Sequence, residues 1–410
     1  MKILIYGINY RPEMTGIGKY TGEMAPFMAA EGHEVEVITA PPYYPNWRVA
    51  EDYRGRGWVR EEEDGVTVLR CPLYVPAEPS GAKRIVHEFS FLLSSLRYWI
   101  PRFFRRYDAI VCVSPPFHLG FLALLHHWLR GTPVVNHIQD LQVDAARGMG
   151  LIKSEGLLTL LERMERFLLR RFTRVSSISE GMIDRIVAKG VRQEDILFFP
   201  NWVDAKLVHP VPRAESMRRE WGIADNEKLV LYSGNLGGKQ GLENLPILAA
   251  AYDKRQPEVR FVVVGEGGTK QDLIRQVKEL GLSNVEFKPL QPLEKLAASL
   301  AAADVHLVLQ KAEAADLVMP SKLTNILAVG GHALVTANPG TTLYEVVREH
   351  RLGTVVPAED AAALRRGLDE ILSGTRSADA GGAVAYATKH LDKQTTIRRY
   401  LRQLAELNTI

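Results

Sequence analysis

Lys228–Leu245 reads KLVLYSGNLGGKQGLENL, and the fold of the chain turns on that stretch. Leu229–Tyr232 is an apolar run of buried-strand length. Gly234, Gly237, Gly238 and Gly241 follow, and then Leu242, Leu245 and Leu248 at helical spacing. Strand, glycine-rich turn and helix make a cradle for phosphate. Glycine lets backbone approach an anion, and the first helical turn points free N–H groups at it. Lys239 adds a mobile positive charge there. A plain strand-to-helix turn with a surface lysine explains the stretch equally well on local grounds.

Downstream, the same alternation continues. Strands are expected at Arg260–Val264, Val285–Lys288, Val305–Leu309, Ala333–Thr336 and Gly353–Val356, with helices between them. Upstream, strands are expected at Lys2–Tyr6, Val35–Thr39, Val66–Cys71, Ala109–Val113, Pro133–His137, Val175–Ile178 and Ile196–Phe199. Strands alternating with helices in both halves predict an α/β chain of two doubly wound parallel-sheet, Rossmann-like domains facing across a cleft. The proline-rich run from Pro200 to Pro212 reads as the linker. The expected division is residues 1–203, completed by a terminal helix over 385–410, and residues 204–384.

At 410 residues the chain is too long for one ordinary core. A net charge of +3 gives no argument for nucleic acid. Two cysteines, each inside an apolar run, argue against a disulfide scaffold or a zinc site and fit a reducing cytoplasm. Ile110–Leu129 carries no formal charge over 20 residues, but Pro115, Pro116 and three histidines break it. Strand, turn and helix is the better reading there than a membrane span.

The sequence argues against a dinucleotide site at the first strand. The glycines fall at Gly7, Gly16, Gly18 and Gly22 rather than as GxGxxG, and the second strand ends without an acid. Thr15-Gly16-Ile17-Gly18-Lys19 instead lets the first loop run close to a ligand at a helix start, with simple helix capping as the plainer alternative. Further candidates lie at strand C-terminal ends, where open α/β sheets bind ligands. They are His137 in NHIQD, Glu266 in VGEGG, and Ser321 and Lys322 behind Pro320. No metal-ligand spacing is present, and no metal or cofactor is expected.

Ala82–Tyr107 combines six basic residues with one acid and a series of aromatics. Such a segment either covers a sheet or lies on an anionic bilayer. In the second case Arg97, Arg102, Arg105 and Arg106 would face lipid and acceptor.

The blocks ILIYGINYRPEMTGIGKYTGEMA, NHIQDL, SSISEGM, FPNWVD, YSGNLGGKQGLENL, VVVGEGG and MPSKLTNILAVGG, in this order, resemble the retaining glycosyltransferases of family 4, of GT-B fold. The likeness is narrowest to the bacterial branch that builds colanic-acid-like capsules, exopolysaccharide and O-antigen. It implies a nucleotide-diphosphate sugar as donor and a lipid-linked or other glycan acceptor. The enzyme would be cytoplasmic, on the inner face of the membrane. It implies donor contacts from Lys239, Gly237, Gly238, Asn235, Ser321, Lys322, Leu323 and Glu266, with Gly16 and Gly18 closing over the phosphates. His137 would touch the donor sugar and, with Lys239, carry catalysis. The family's paired glutamates are replaced by Leu317 and Asn325, and its arginine by Asn235. A sugar-nucleotide 2-epimerase of the same fold, or a non-catalytic sugar-nucleotide-binding protein, are the alternatives.

Overall fold

A computed structural model describes residues 1–13, 16–78, 80–148, 152, 154–312 and 321–407, the side chain of Lys239 excepted. The expected residues Thr15, Leu317 and Pro320 therefore lie outside it. The chain divides into Met1–Pro200 with Ile397–Ile410, and Asn201–Thr396.

The first unit runs β1 (Lys2–Tyr6), α1 (Gly16–Ala30), β2 (Glu34–Thr39), β3 (Val59–Glu63), β4 (Val66–Arg70), α2 (Gly81–Arg102), β5 (Ala109–Ser114), α3 (Gly120–Arg130), β6 (Val134–Ile138), α4 (Gln142–Gly148), α5 (Glu155–Leu169), β7 (Arg174–Ser177), α6 (Glu180–Ala188) and β8 (Ile196–Phe198). Its sheet has the order β3-β4-β2-β1-β5-β6-β7-β8. The central strands are buried on both faces, as AIVCVS in β5 is throughout, which is why they read as unbroken apolar runs. The chain reverses its winding between β1 and β5, so the loops after those strands open where ligands bind.

One strand departs from expectation. β3, VREEE, pairs antiparallel with β4, so this sheet is mixed rather than wholly parallel. Its charges hide it from a hydrophobic reading. Glu61 and Glu63 bind the fully buried guanidinium of Arg70 at 2.7 and 2.9 Å. Buried charge is tolerated only when paired this completely.

The second unit runs β9 (Lys228–Ser233), α7 (Asn244–Asp253), β10 (Val259–Val264), α8 (Lys270–Glu279), β11 (Val285–Lys288), α9 (Leu296–Ala301), β12 (Val305–Val308), α10 (Ser321–Ala328), β13 (Ala333–Thr336), α11 (Thr342–Glu349), β14 (Gly353–Val356), α12 (Ala361–Leu372) and α13 (Ala380–His390). Its sheet is parallel, in the order β11-β10-β9-β12-β13-β14, and it reverses between β9 and β12. One apolar cluster covers each face.

The expected terminal helix is two helices, α13 and α14 (Lys393–Glu406). The break at Leu391 and Asp392 has a backbone cause. Val203 donates its N–H to the Leu391 carbonyl at 2.9 Å and accepts from Lys393 N–H at 3.0 Å. Those groups are thereby drawn out of a continuous helical ladder.

Candidate functional site

The glycine-rich turn after β9 and the turn after β10 are bound together, backbone to backbone. Gly234 N–H donates to Val264 O at 3.0 Å, and Leu236 N–H to Glu266 O at 2.9 Å. Thr269 closes the pair by donating its N–H and its hydroxyl to Leu236 O, at 3.0 and 2.9 Å. The glycines are required by this closeness. A Cβ on Gly265 would overlap the Gly234 carbonyl oxygen, and one on Gly267 the Leu236 carbonyl oxygen. Gly237 and Gly238 lead into a 3-10 turn, Gly238–Gln240, that contains the Lys239 backbone. The Asn235 side chain lies against Gly237 and Gly267.

Lys322, the second residue of α10, enters this turn from 90 positions away. Its Nζ donates to the Tyr232 hydroxyl at 2.8 Å and lies 4.3 Å from the centre of that ring. Tyr232 in turn donates to the Asn235 carbonyl at 2.7 Å. The lysine stem runs along Gly234, where a Cβ would lie 3.5 Å from Cε. No carboxylate pairs with Lys322 among the described residues, and burial pushes its pKa down to about 7. Ser321, exposed, opens α10 beside it, and Asn325 lies half-buried one turn on. Backbone donors, a helix start and a half-buried cation with no counter-ion among the described residues are the chemistry an anion requires.

Not every expected residue presents its side chain here. Leu323 is fully buried in the core, so only its backbone can meet a ligand. Glu266 turns its carboxylate outward to Lys270 at 2.6 Å and contributes its carbonyl to the paired turns.

In the first unit, His137 is the penultimate residue of β6 and is 3% exposed. Gln139 Nε2 donates to its Nε2 at 2.8 Å, which leaves the ring proton on Nδ1 to be given to Ser176 Oγ at 3.0 Å. Ser176 is linked to the Tyr400 hydroxyl at 3.2 Å, and Tyr400 stacks on Phe199 with ring centres 3.9 Å apart. Burial pushes the His137 pKa down to about 3, so the ring is neutral at physiological pH. Both ring nitrogens are engaged, and His137 is a positioned neutral group rather than a ready proton carrier.

The loop after β1 is held by a residue the sequence reading passed over. Glu13 is 5% exposed and accepts from the N–H groups of Tyr43 and Tyr44 at 2.9 Å each, and from Asn9 at 2.9 Å. It fastens the loop after β1 to the loop after β2. Gly18 is needed against it, because a Cβ there would come within 2.6 Å of the Glu13 side chain. Gly16 takes the left-handed conformation, at φ 59°.

Residues 15–202 match the family Glycosyl transferase 4-like domain, and residues 213–387 match Glycosyl transferases group 1. The chain is 43% identical over 416 residues to WcaI of Escherichia coli (strain K12), named for a glycosyl transferase of colanic acid biosynthesis; the match spans 98% of this chain and 100% of that protein. The chain belongs to the glycosyltransferases. Among solved structures it is similar to sucrose-phosphate synthase from Thermosynechococcus elongatus, at TM-score 0.75, 18% identity and 99% coverage of each chain. Anabaena HepE in complex with UDP and glucose aligns at TM-score 0.73 and 16% identity, over 99% of this chain and 100% of that one. The fold is GT-B, and the chain is a transferase enzyme.

For this glycosyltransferase, the signals that sequence reading missed are Tyr232 and Glu13. Tyr232 looked like the last apolar residue of a strand, and nothing local ties it to Lys322. Glu13 drew no reading, because two of its three partners are backbone N–H groups that leave no trace in composition.

Proposed function

We propose that the enzyme transfers a sugar from a nucleotide-diphosphate sugar to a lipid-linked glycan acceptor, with retention of anomeric configuration, in bacterial cell-surface polysaccharide assembly. The observation that carries the donor half is Lys322. Its ammonium faces a glycine-lined turn at the C-terminal edge of the sheet with no carboxylate among the described residues to neutralise it. A diphosphate supplies the missing charge. The backbone of Gly237, Gly238 and Lys239, the start of α10 at Ser321, and Asn235 and Asn325 complete the donor contacts in this reading. WcaI, named for colanic acid biosynthesis, and HepE, in complex with UDP and glucose, support it. Catalysis rests on positioning and on stabilising the leaving diphosphate. That diphosphate takes the acceptor proton in a front-side attack.

A panel of nucleotide sugars tests the donor half. At about 100 times its dissociation constant the true donor stabilises the fold by about 2.7 kcal/mol, read as a thermal shift. Transfer with the donor anomer retained in the product, by NMR, is the expected result. Isomerised free nucleotide sugar would make the enzyme an epimerase. Binding with neither transfer nor hydrolysis would make it a non-catalytic binder.

The membrane half rests on α2, which has two faces. His87, Phe91, Ser95, Trp99 and Arg102 are buried at spacings of four and three. Phe91 and Trp99 pack on Tyr6, with ring centres 5.8 and 5.1 Å apart. Arg102 is thus removed from the expected lipid-facing set. Its side chain is 8% exposed, and its Nε binds Glu36 at 2.9 Å. Val86, Phe89, Leu93 and Ile100 instead form an outward stripe, continued by Phe104 at 75% exposure. Arg97, Arg105 and Arg106 accompany it, and α3 adds Trp128 and Leu129. No helix among the described residues is long and apolar enough to cross a membrane, so attachment through this stripe is reversible. The enzyme should sediment with anionic vesicles at low salt and come free at high salt. Replacing Arg97, Arg105 and Arg106 by glutamine should weaken sedimentation by at least tenfold, at about 1 kcal/mol per charge. Equal sedimentation of the variant would remove the surface assignment.

A further inference from the structure

A cavity of about 480 Å³ opens in the first unit, lined by none of the residues assigned above. Its lining comes from the loops after β2 and β4 and includes Trp47, Arg48, Arg54, Val75 and Ala77. Both loops leave the C-terminal edge of the sheet. Trp47 is held with φ at 50°, a left-handed conformation that costs a bulky residue about 1–3 kcal/mol. The loop enforces it: Arg48 N–H bonds to Tyr43 O at 3.2 Å, and Ala50 N–H to Pro42 O at 2.9 Å. The indole packs edge-on to Tyr43 and lies 5.3 Å from the ring of His87. His87 is 1% exposed, and its Nε2 has no partner among the described residues.

The cavity is basic. Arg84 of α2 stands 5.2 Å over the Trp47 ring. Arg48 and Arg84 form no ion pair among the described residues, and Arg54 has only the exposed Glu51 at 4.0 Å. Immediately beyond Arg84 the outward apolar residues of α2 begin with Ile85, Val86 and Phe89. The loop carrying Val75 is tied to the same helix, since Tyr74 N–H donates to Ser90 Oγ at 2.8 Å. One helix thus joins a cationic, aromatic cavity to an exposed apolar track.

We propose that this cavity takes the phosphate-bearing end of the lipid-linked acceptor. Arg48, Arg54 and Arg84 hold the phosphate. The face of Trp47 takes the adjoining sugar ring, and the α2 stripe takes the start of the lipid. Guanidinium groups suit phosphate by their fork of donors, and an indole offers a flat apolar face to the C–H side of a sugar. The proposal rests on the acceptor reading above and adds its place and chemistry.

The test uses the full chain labelled with 5-fluorotryptophan, with the Trp47 resonance assigned through Trp47→Phe. Geranyl diphosphate, a short soluble lipid diphosphate, serves as probe, with inorganic pyrophosphate and UDP beside it. Geranyl diphosphate should move the Trp47 fluorine signal saturably. Arg48→Gln/Arg54→Gln/Arg84→Gln should weaken that binding at least tenfold, and pyrophosphate should bind at least tenfold more weakly than the lipid form. UDP should leave the Trp47 signal in place. An unmoved Trp47 signal, or equal affinity in the triple variant, overturns the proposal. Equal affinity for pyrophosphate overturns its lipid part. Nucleotide-sugar thermal shifts on the same samples keep the two readings apart. A triple variant with full donor stabilisation is folded, whereas a wild type that binds no nucleotide sugar strikes the donor reading and leaves the titration standing.

Discussion

Lys322→Met is expected to lower kcat/KM for the donor by about a hundredfold or more while raising the melting temperature of the ligand-free enzyme. Removing a positioned charge from a developing anion typically costs about 3–4 kcal/mol. The stability gain follows from linkage. Burial holds the folded-state pKa at about 7 against an ordinary 10.5. Between those values the unfolded chain binds more protons, so stability rises with pH, and the penalty is full below pH 7 and gone above 10.5. Methionine keeps the stem and removes the penalty, giving a rise of about 2–4 °C if it recovers about 1 kcal/mol. The pH dependence separates this account from simple loss of packing. Donor affinity of the wild type should fall as pH rises above 7, by up to about tenfold per unit. The variant should be flat over that range. Parallel slopes, or a lower melting temperature, would take Lys322 out of the diphosphate site.

Gly265→Ala should cost about 3–5 kcal/mol in urea unfolding, among the larger effects a single methyl can have. The methyl has nowhere to go, because the atom it meets is backbone oxygen of the neighbouring turn. Separating the turns breaks the Gly234–Val264, Leu236–Glu266 and Thr269–Leu236 hydrogen bonds together. Protection by nucleotide sugar should vanish with them. Gly268→Ala is the control, since a Cβ there meets nothing within 4 Å and stability should stay within about 0.5 kcal/mol. Similar midpoints for the two variants would mean the turns are not held as described.

The parallel strands were legible because burial on both faces writes them as apolar runs, and the glycine turns because close backbone approach demands glycine. β3 was not legible, since Glu61 and Glu63 are there to pair with buried Arg70 and no apolar alternation remains. For α2, composition gave a basic aromatic segment but could not sort its aromatics. Phe91 and Trp99 face the sheet while Phe89 and Phe104 face out, and Arg102 belongs to Glu36. The donor-side lysine was found by its place at a helix start. Its partner Tyr232 was not, because that contact spans 90 positions.

The chain from His137 through Ser176 to Tyr400 sets an order of assembly during synthesis. Ser176 and Tyr400 are 224 positions apart, and Tyr400 is fully buried beside Phe199. At about 5–20 residues per second, the ribosome leaves the first unit without that side chain for about 10–45 s after Ser176 is made. Late in that interval, from the synthesis of Val356 until that of Tyr400, the second unit has all its strands while the first lacks its closing helix. The later unit in sequence can thus be the earlier to finish folding. A nascent chain released before Tyr400 would carry an intact glycine turn and an unlocked histidine.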